Sequence, residues 1–263
     1  MTEKMRPQAP AWTFAVLVAV LTLLYLPVFV MMLNSVLVKE NDLWVWTHRW
    51  YAQVFQDVEI LNALKRSVIV AFTASTGALI LGFAAAIAIA KTSFPFKRIL
   101  NSMSFLSLVL PELVFALSLL SWFFILKIQL SLLTVILAHI TFSVCFVLMT
   151  LLARLAGQDE TVENAARDLG ASEWQVLSKV IVPLMKPALI SAFLLSFLLS
   201  FDDFLITFFT SGVGSDTLPI RLYVAMRLGL TPKLSALATL MFVFSFLLIW
   251  FFSKNRGSRL LEE

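Results

Sequence analysis

Several residue types on which catalytic and metal-binding proteins depend are scarce in this chain. Its 263 residues include one cysteine, Cys145, and two histidines, which excludes a disulfide framework and a cysteine–histidine metal cluster. The eight glycines form no phosphate-binding loop, so any nucleotide would have to bind another chain. Charged residues make up only 14%, and the net charge of +4 is too small to indicate nucleic-acid binding. The sequence therefore predicts no catalytic residues and no metal site.

Apolar residues, by contrast, are abundant throughout the chain. They make up 60% of it, 24 residues are phenylalanine, and the mean hydropathy is +0.92, which excludes a soluble globular domain. The first apolar run continues through Pro27 without a small-residue cleavage site, so we interpret it as a retained span rather than a signal peptide. Runs of this length predict an all-α integral membrane protein, a single domain over 1–263 with six transmembrane helices at about 11–33, 64–90, 99–126, 130–153, 188–210 and 234–252.

The segments between the predicted spans indicate how the chain lies in the membrane. Trp44, Trp46, Trp50 and Tyr51 cluster after the first span, which favours an interfacial aromatic belt with a short surface helix over an aromatic cage for a substrate. Six spans place both termini on one side. If the termini and the polar loop at about 158–186 are inside, the inner side carries the larger share of the 20 Lys and Arg residues. We therefore expect cytoplasmic termini.

The polar loop at about 158–186 predicts two short helices. The first follows Asp159 as N-cap, and the second begins with a capping box formed by Ser172 and Gln175. Gly170 lies between them, where a helix end favours positive φ. The second helix has an apolar face that consists of Trp174, Leu177, Val180 and Ile181. Pro183 and Pro187 are predicted to end this helix.

Two other interpretations of this loop are available. It could lie flat on the membrane as an ordinary amphipathic segment. It could also be a DNA-binding helix-turn-helix, but both of its ends join apolar spans, and it lacks a third helix and a basic surface.

Three carboxylates occupy positions where lipid would penalise a charge. Glu112 follows Pro111 inside the third predicted span, and Asp202 and Asp203 lie inside the fifth. An ionised group at the bilayer centre costs about 2.5–3.5 kcal/mol, so these side chains should face protein or water. Two interpretations stay open: the acids pair internally and hold helices together, or they line a passage for a cation.

One of the two aspartates belongs to a polar stripe in the fifth predicted span. Asp202 is about 100° from that stripe around the helix. His139, in the fourth predicted span, is interpreted as a hydrogen-bonding partner between helices rather than a proton carrier. The stripe follows helical spacing and consists of Ser196, Ser200, Asp203, Thr207 and Thr210.

The polar loop resembles the EAA motif of ABC-importer permease subunits, which reads E-A-A, three residues, Gly, nine residues, I-x-L-P. Asn164 takes the glutamate position of that motif, while Glu163 lies one residue earlier. The resemblance implies coupling helices that dock on a cytoplasmic ATPase, with Glu163 and Asn164 as candidates for the polar docking contact. The other coupling residues implied in this way are Ala165, Ala166, Gly170 and Pro183.

From about residue 25 to 239, the chain also resembles the spermidine/putrescine permease family of the PotC type. The matching segments are L-S-F-D-D-F around Asp202, G-x-G-x-x-x-L-P-x-x-x-Y ending at Tyr223, R-x-G-x-x-P-x-x-x-A-L-A-T from Arg227 and A-H-I-T-F from Ala138. Glu112 stands where the family has aspartate. The resemblance implies a type I ABC-importer (MetI-like) permease fold. It also implies a substrate pathway containing Asp202, Asp203, Glu112 and Tyr223.

The same resemblance implies partners in a bacterial inner membrane. These are a second, PotB-like permease, two PotA-like ATPases that hold ATP and Mg²⁺, and a periplasmic PotD-like binding protein. The chain itself would be a transport subunit surrounded by lipid, without a cofactor or nucleic acid of its own. The alternatives are a permease for another small cationic or chelated solute, an intramembrane aspartyl hydrolase, and a channel or a secondary carrier, which commonly has repeated halves.

Overall fold

The computed structural model describes residues 11–40, 43–103, 109–229 and 231–257. They form two compact units, one from the chain ends, up to Val58 and from Leu222, and a central one, Glu59–Arg221. The regular structure in these ranges is helical apart from one β-hairpin. The helices are Ala11–Val36, Arg49–Gln56, Val58–Lys91, Lys97–Met103, Glu112–Ile125, Leu132–Ala156, Thr161–Asp168, Glu173–Phe201, Leu205–Thr210, Leu218–Leu228 and Pro232–Gly257.

Five of these helices are long and apolar enough to cross a membrane, and they overlap five of the six predicted spans, although the fifth ends at Phe201 rather than at about residue 210. The third predicted span is not one continuous helix where it is described, because it contains the separate helices Lys97–Met103 and Glu112–Ile125. Pro111 explains where the second of these begins: its φ of −57° suits a helix start, and it has no N–H to leave unpaired. Residues 104–108 of this span lie outside the described residues.

The unit built from the chain ends packs the first span against the last, and a short hairpin follows the first span. Leu37–Glu40 pairs antiparallel with Leu43–Trp46, with Lys39 opposite Trp44. The sequence predicts only a loop and a short helix here. The helix Arg49–Gln56 is present, but the hairpin was not predicted, although the L-W-V-W run favours a strand.

Small residues allow the helices of the central unit to approach closely. A Cβ atom on Gly82 would lie 2.6 Å from Val147 Cγ1, and one on Gly77 would lie 2.8 Å from Ile140 Cδ1. Helix Leu132–Ala156 therefore packs directly on the backbone of the second span, as is common between membrane helices. Ser75 is also buried, and seven further buried small residues of the second span recur at three- and four-residue spacing: Ala63, Ser67, Ala71, Ala74, Ala78, Gly82 and Ala86.

Candidate functional site

The polar loop of the central unit contains the first predicted helix, but the N-cap of this helix is Glu160 rather than the predicted Asp159. Its first helix is Thr161–Asp168, and the Asp159 carboxylate, one residue before the N-cap, accepts hydrogen bonds from the Thr161 hydroxyl at 2.5 Å and the Thr161 backbone N–H at 2.9 Å. The hydroxyl bond and then the backbone bond lower the pKa of the Asp159 carboxyl. Gly170 has a φ of +85°, which confirms its predicted place at the end of this helix.

The second helix of the loop starts as predicted, but it does not end as predicted. Ser172 N donates to Gln175 Oε1 at 2.9 Å, and Gln175 N donates to Ser172 Oγ at 3.4 Å, which forms the capping box. The helix then passes through both prolines and continues as the fifth span to Phe201. A π-helical turn at Leu177–Ile181 widens the backbone immediately before Pro183. This widening explains why the proline ring is tolerated there.

The buried face of this second helix differs from the predicted one at its beginning. Val176 is fully buried in a core cluster with Ile89 and Leu155, and Ile181 is 4% exposed. Trp174, predicted on the apolar face, is 73% exposed. The orientation of the first turn is set by the helices it packs against, and periodicity within the loop does not contain that information.

An ion-pair network ties the loop to the end of the second span. Lys91 Nζ lies 2.9 Å from Glu160 Oε1 and 3.0 Å from Glu163 Oε1. Arg167 completes the network, with Nε 2.8 Å from Glu173 Oε1 and Nη2 3.8 Å from Glu163 Oε2. This role of Lys91 was not predicted, because 69 positions separate it from Glu160.

The six predicted coupling residues differ in their access to a partner. The Glu163 side chain is 1% exposed and paired within the chain. Asn164 is exposed, and its Oδ1 accepts a hydrogen bond from Arg167 Nη1 at 3.2 Å. Of the two polar candidates, Asn164 is therefore the one at the surface. Of the remaining four, Ala166 is half-buried and the exposed ones are Ala165, Gly170 and Pro183.

Three large apolar side chains of the loop before its π-helical turn are also exposed. They are Val162 at 53%, Leu169 at 90% and Trp174 at 73%, and we call them the loop apolar residues. All three belong to a loop whose neighbouring positions are polar or charged. Exposed apolar groups with a polar rim are typical of a surface that binds another protein.

The fifth span is interrupted at the two predicted aspartates. Helix Glu173–Phe201 ends there, and the short helix Leu205–Thr210 begins after three intervening residues. The interruption lies beside a cavity of about 470 Å³, which we call the acid cavity. The structure thus brings together the three acids predicted inside the membrane, since the lining consists of Glu112, Phe142, Leu195, Leu198, Leu199, Asp202, Asp203, Phe204 and Leu205.

The two adjacent aspartates have different surroundings. The Asp203 side chain is 5% exposed, and its carboxylate accepts hydrogen bonds from Ile206 N at 3.3 Å and from Thr207 N and Oγ1 at 2.8 Å each. It therefore caps the helix after the interruption. Asp202 and Glu112 are exposed residues that line the acid cavity.

His139 holds the fourth span to both sides of the interruption. Its Nδ1 lies 2.6 Å from Ser200 Oγ, and its Nε2 lies 2.9 Å from Thr207 Oγ1 and 3.2 Å from Asp203 Oδ2. This confirms its predicted role as a hydrogen-bonding partner between helices. The predicted polar stripe is also buried along its whole length, from Ser196 to Thr210.

Tyr223, the fourth residue predicted for the substrate pathway, lies in the unit formed by the chain ends. Its hydroxyl oxygen accepts a hydrogen bond from Arg227 Nε at 2.8 Å, and the Arg227 guanidinium lies 5.0 Å from the centre of its ring. Tyr223 is not among the residues that line the acid cavity.

Residues 78–254 match the family model described as "Binding-protein-dependent transport system inner membrane component". The chain belongs to this family. As a family member, it is a multi-pass permease subunit of an ABC transport system. The match includes both the polar loop and the acid cavity.

Relatives and solved structures agree with this assignment. The chain is 39% identical to the spermidine/putrescine transport system permease protein PotC of Haemophilus influenzae, over 86% of this chain and 89% of that protein. It is 35% identical to the putrescine transport system permease protein PotI of Escherichia coli, over 87% of this chain and 85% of that protein. The fold matches a chain of a bacterial ABC transporter involved in the import of alginate, with a TM-score of 0.68 and 15% identity. The match covers 95% of this chain and 99% of that chain.

Proposed function

We propose that this family member is the permease subunit of an ATP-driven polyamine importer, and that it forms half of the passage for spermidine or putrescine. The acid cavity is the observation that carries the proposal. Relatives whose names specify polyamines cover most of the chain at 35–39% identity, which supports the same solute class.

The composition of the acid cavity suits the chemistry of a polyamine. Such a molecule alternates ammonium groups with methylene chains. Glu112 and Asp202 provide exposed carboxylates, while Leu195, Leu198 and Phe142 provide apolar surface. A carboxylate can replace water around an ammonium group, and the leucines can contact the methylenes. Because a passage must release what it binds, we expect the contacts to be individually weak.

The polar loop is the element that we expect to transmit force from the ATPase. The loop apolar residues are exposed although the loop itself is fixed to the second span by the Lys91 ion pairs. A docked partner would cover these side chains and move a rigid element rather than a flexible one. The loop and both termini then lie in the cytoplasm, in accordance with the Lys and Arg distribution.

The complete importer then contains four kinds of subunit. A PotB-like permease supplies the other half of the passage, and two PotA-like ATPases hold ATP and Mg²⁺ and dock on the coupling loops. A PotD-like binding protein delivers the polyamine from the periplasm. In the proposed assembly this chain binds no nucleotide. It lines the passage and changes conformation when the ATPases act on its polar loop.

The test is uptake of radiolabelled spermidine and putrescine by proteoliposomes that contain the complex purified with its co-expressed genomic neighbours. We expect uptake that depends on ATP, and a rise of about tenfold in KM for Asp202→Asn, which corresponds to about 1.4 kcal/mol of lost binding. Asp202→Glu keeps the charge and is the matched control. ATP-dependent uptake of a different cation or of a chelate, with neither polyamine transported, would overturn the proposal.

A further inference from the structure

The side chain of His139 spans the interruption of the fifth span. Its Nδ1 contacts Ser200 in the last turn of the helix before the interruption, at 2.6 Å. Its Nε2 contacts Thr207 in the short helix after it, at 2.9 Å. One imidazole ring from the fourth span therefore bridges the two halves of the fifth.

The hydrogen bonds around His139 have a defined direction. The Thr207 hydroxyl donates to Asp203 Oδ2 at 2.8 Å, so its oxygen is left to accept from His139 Nε2–H. In the neutral ring, Nδ1 then accepts the proton of the Ser200 hydroxyl. All four residues are at least 91% buried, so water cannot replace a partner that is lost, and the remaining polar groups would be left unsatisfied.

From this geometry we infer that His139 is a positioning residue for transport. It fixes the angle between the two halves of the fifth span, so that Asp203 stays engaged as a helix cap and Asp202 remains at the acid cavity. His139 does not touch the solute in this arrangement. The identity of the transported solute rests on the proposed function. The hydrogen bonds by which His139 bridges the two halves of the fifth span are a property of this chain alone.

Another hydrogen bond between the same two spans provides a matched control. Thr134 Oγ1 donates to the Thr210 carbonyl oxygen at 2.8 Å, at the far end of the short helix, and it also accepts from Ser131 N at 2.8 Å in the capping box of the fourth span. This bond joins the fourth span to the short helix without reaching the helix before the interruption. Loss of the Thr134 bond weakens the contact between the spans, whereas loss of His139 also frees the two halves to move relative to each other.

The experiment compares His139→Phe, which keeps an aromatic ring without hydrogen bonds, with Thr134→Val in the purified complex. For His139→Phe we expect faster hydrogen exchange in a peptide that covers residues 202–207, because the amides of Ile206 and Thr207 donate to Asp203. We expect an unchanged rate for a peptide in the second span. Thr134→Val should leave exchange at residues 202–207 within about twofold of the wild type.

Polyamine uptake gives the second measurement. We expect His139→Phe to lower the maximal uptake rate by about tenfold to a hundredfold at equal expression, as misplacement of a binding group does. His139→Phe combined with Asp203→Asn should be no worse than His139→Phe alone, because both changes release the same short helix. Asp202→Asn should add less than its full effect to that of His139→Phe, because Asp202 is already displaced from the acid cavity in that variant.

Two results would overturn this inference. One is wild-type exchange at residues 202–207 in His139→Phe, and the other is an equal loss of transport in Thr134→Val. Absence of polyamine uptake by the wild-type complex would refute the proposed function instead, and the exchange measurement would still decide the role of His139.

Discussion

Asp202 and Asp203 adjoin in sequence but are held in different environments. Backbone and hydroxyl donors of the short helix surround Asp203, and His139 lies on its other side. Asp202 ends the preceding helix, with its N–H bonded to Leu198 O at 3.1 Å, and its side chain is exposed. Of the two interpretations left open by the sequence, internal pairing is observed for Asp203, and a cation passage lined by Asp202 and Glu112 stays a prediction.

Gly212 lies so close to the backbone of Leu130 and Ser131 that no larger residue fits there without movement. A Cβ atom there would lie 2.0 Å from the Leu130 carbonyl oxygen and 3.0 Å from Ser131 N, so the chain after the short helix packs directly on the start of the fourth span. We predict that Gly212→Ala lowers the stability of the central unit by about 1–3 kcal/mol, because backbone atoms must move apart. Thermal unfolding of the purified complex measures this change.

The matched control for Gly212 is Gly157→Ala. A Cβ atom on Gly157 would meet only the Arg154 carbonyl oxygen, at 3.9 Å, which is an ordinary contact, and the φ of −97° is allowed for alanine. This variant should melt within a degree or two of the wild type, since an exposed helix end tolerates alanine. Equal melting temperatures for the two alanine variants would contradict the close approach at Gly212.

At the scale of elements, local sequence signals determine how helices begin, and distant contacts determine how they continue. The capping box of Ser172 and Gln175 and the positive φ of Gly170 were predicted correctly, because each depends on residues within three positions. The π-helical turn before Pro183 was missed. Whether a proline stops a helix depends on the packing of the turn before it, and Ile181 is fixed in a core cluster with the second and fourth spans.

The same distinction applies to the candidate site. Periodicity correctly placed Asp203 on the buried stripe and Asp202 off it, because both belong to one run of residues. Periodicity could not show that the helix is interrupted at residues 202–204, nor that Asp203 caps the next segment. Lys91 was missed for a similar reason, since the partners of a basic residue at the end of a span lie in a different part of the chain.

The Lys91 ion pairs make the polar loop and the second span one rigid element, and this can be tested by removing one charge at a time. Lys91→Met leaves the buried Glu163 carboxylate with Arg167 Nη2, 3.8 Å away, as its remaining cation in the network. We predict a loss of about 1–3 kcal/mol in stability and a lower coupling of ATP hydrolysis to uptake. Thermal unfolding and the ratio of solute transported to ATP hydrolysed measure the two effects.

A compensating variant separates charge burial from simple loss of a side chain. Lys91→Met combined with Glu163→Gln removes both charges and should regain most of the lost stability, because no buried charge is left unpaired. Lys97→Met is the control, since Lys97 donates to the Thr92 carbonyl oxygen at the surface. If the double variant were no more stable than Lys91→Met alone, the ion pair would not be what holds the loop.

At the scale of the whole molecule, the chain leaves much apolar surface without a partner of its own. In the most apolar 18-residue stretch of the first span, the mean hydropathy is 2.7, yet none of the residues is buried within this chain. In a membrane, such a helix is stabilised by lipid or by a second subunit rather than by its own core. The exposed apolar groups of the polar loop are surrounded by polar positions, a pattern that is typical of a surface that binds another protein.

The loop apolar residues therefore give a prediction about assembly that does not depend on the solute. Leu169 is 90% exposed and Trp174 is 73% exposed, so Leu169→Ser and Trp174→Ala should leave the fold of this chain intact. Each should lower the amount of ATPase that copurifies with the permease by about fivefold or more, because an apolar anchor buried at an interface contributes about 1–2 kcal/mol or more. Quantitative copurification at fixed detergent and salt measures the effect.

Val213→Ser is the control for these loop variants. Val213 is at least as exposed as Leu169, and it lies in the segment between the short helix and Leu218–Leu228 rather than in the loop. If nonspecific binding to exposed apolar groups retained the ATPase, the amount of copurified ATPase would fall equally in all three variants. If the loop is the docking surface, only Leu169→Ser and Trp174→Ala should lose the ATPase, and ATP hydrolysis by the remaining complex should no longer respond to the solute.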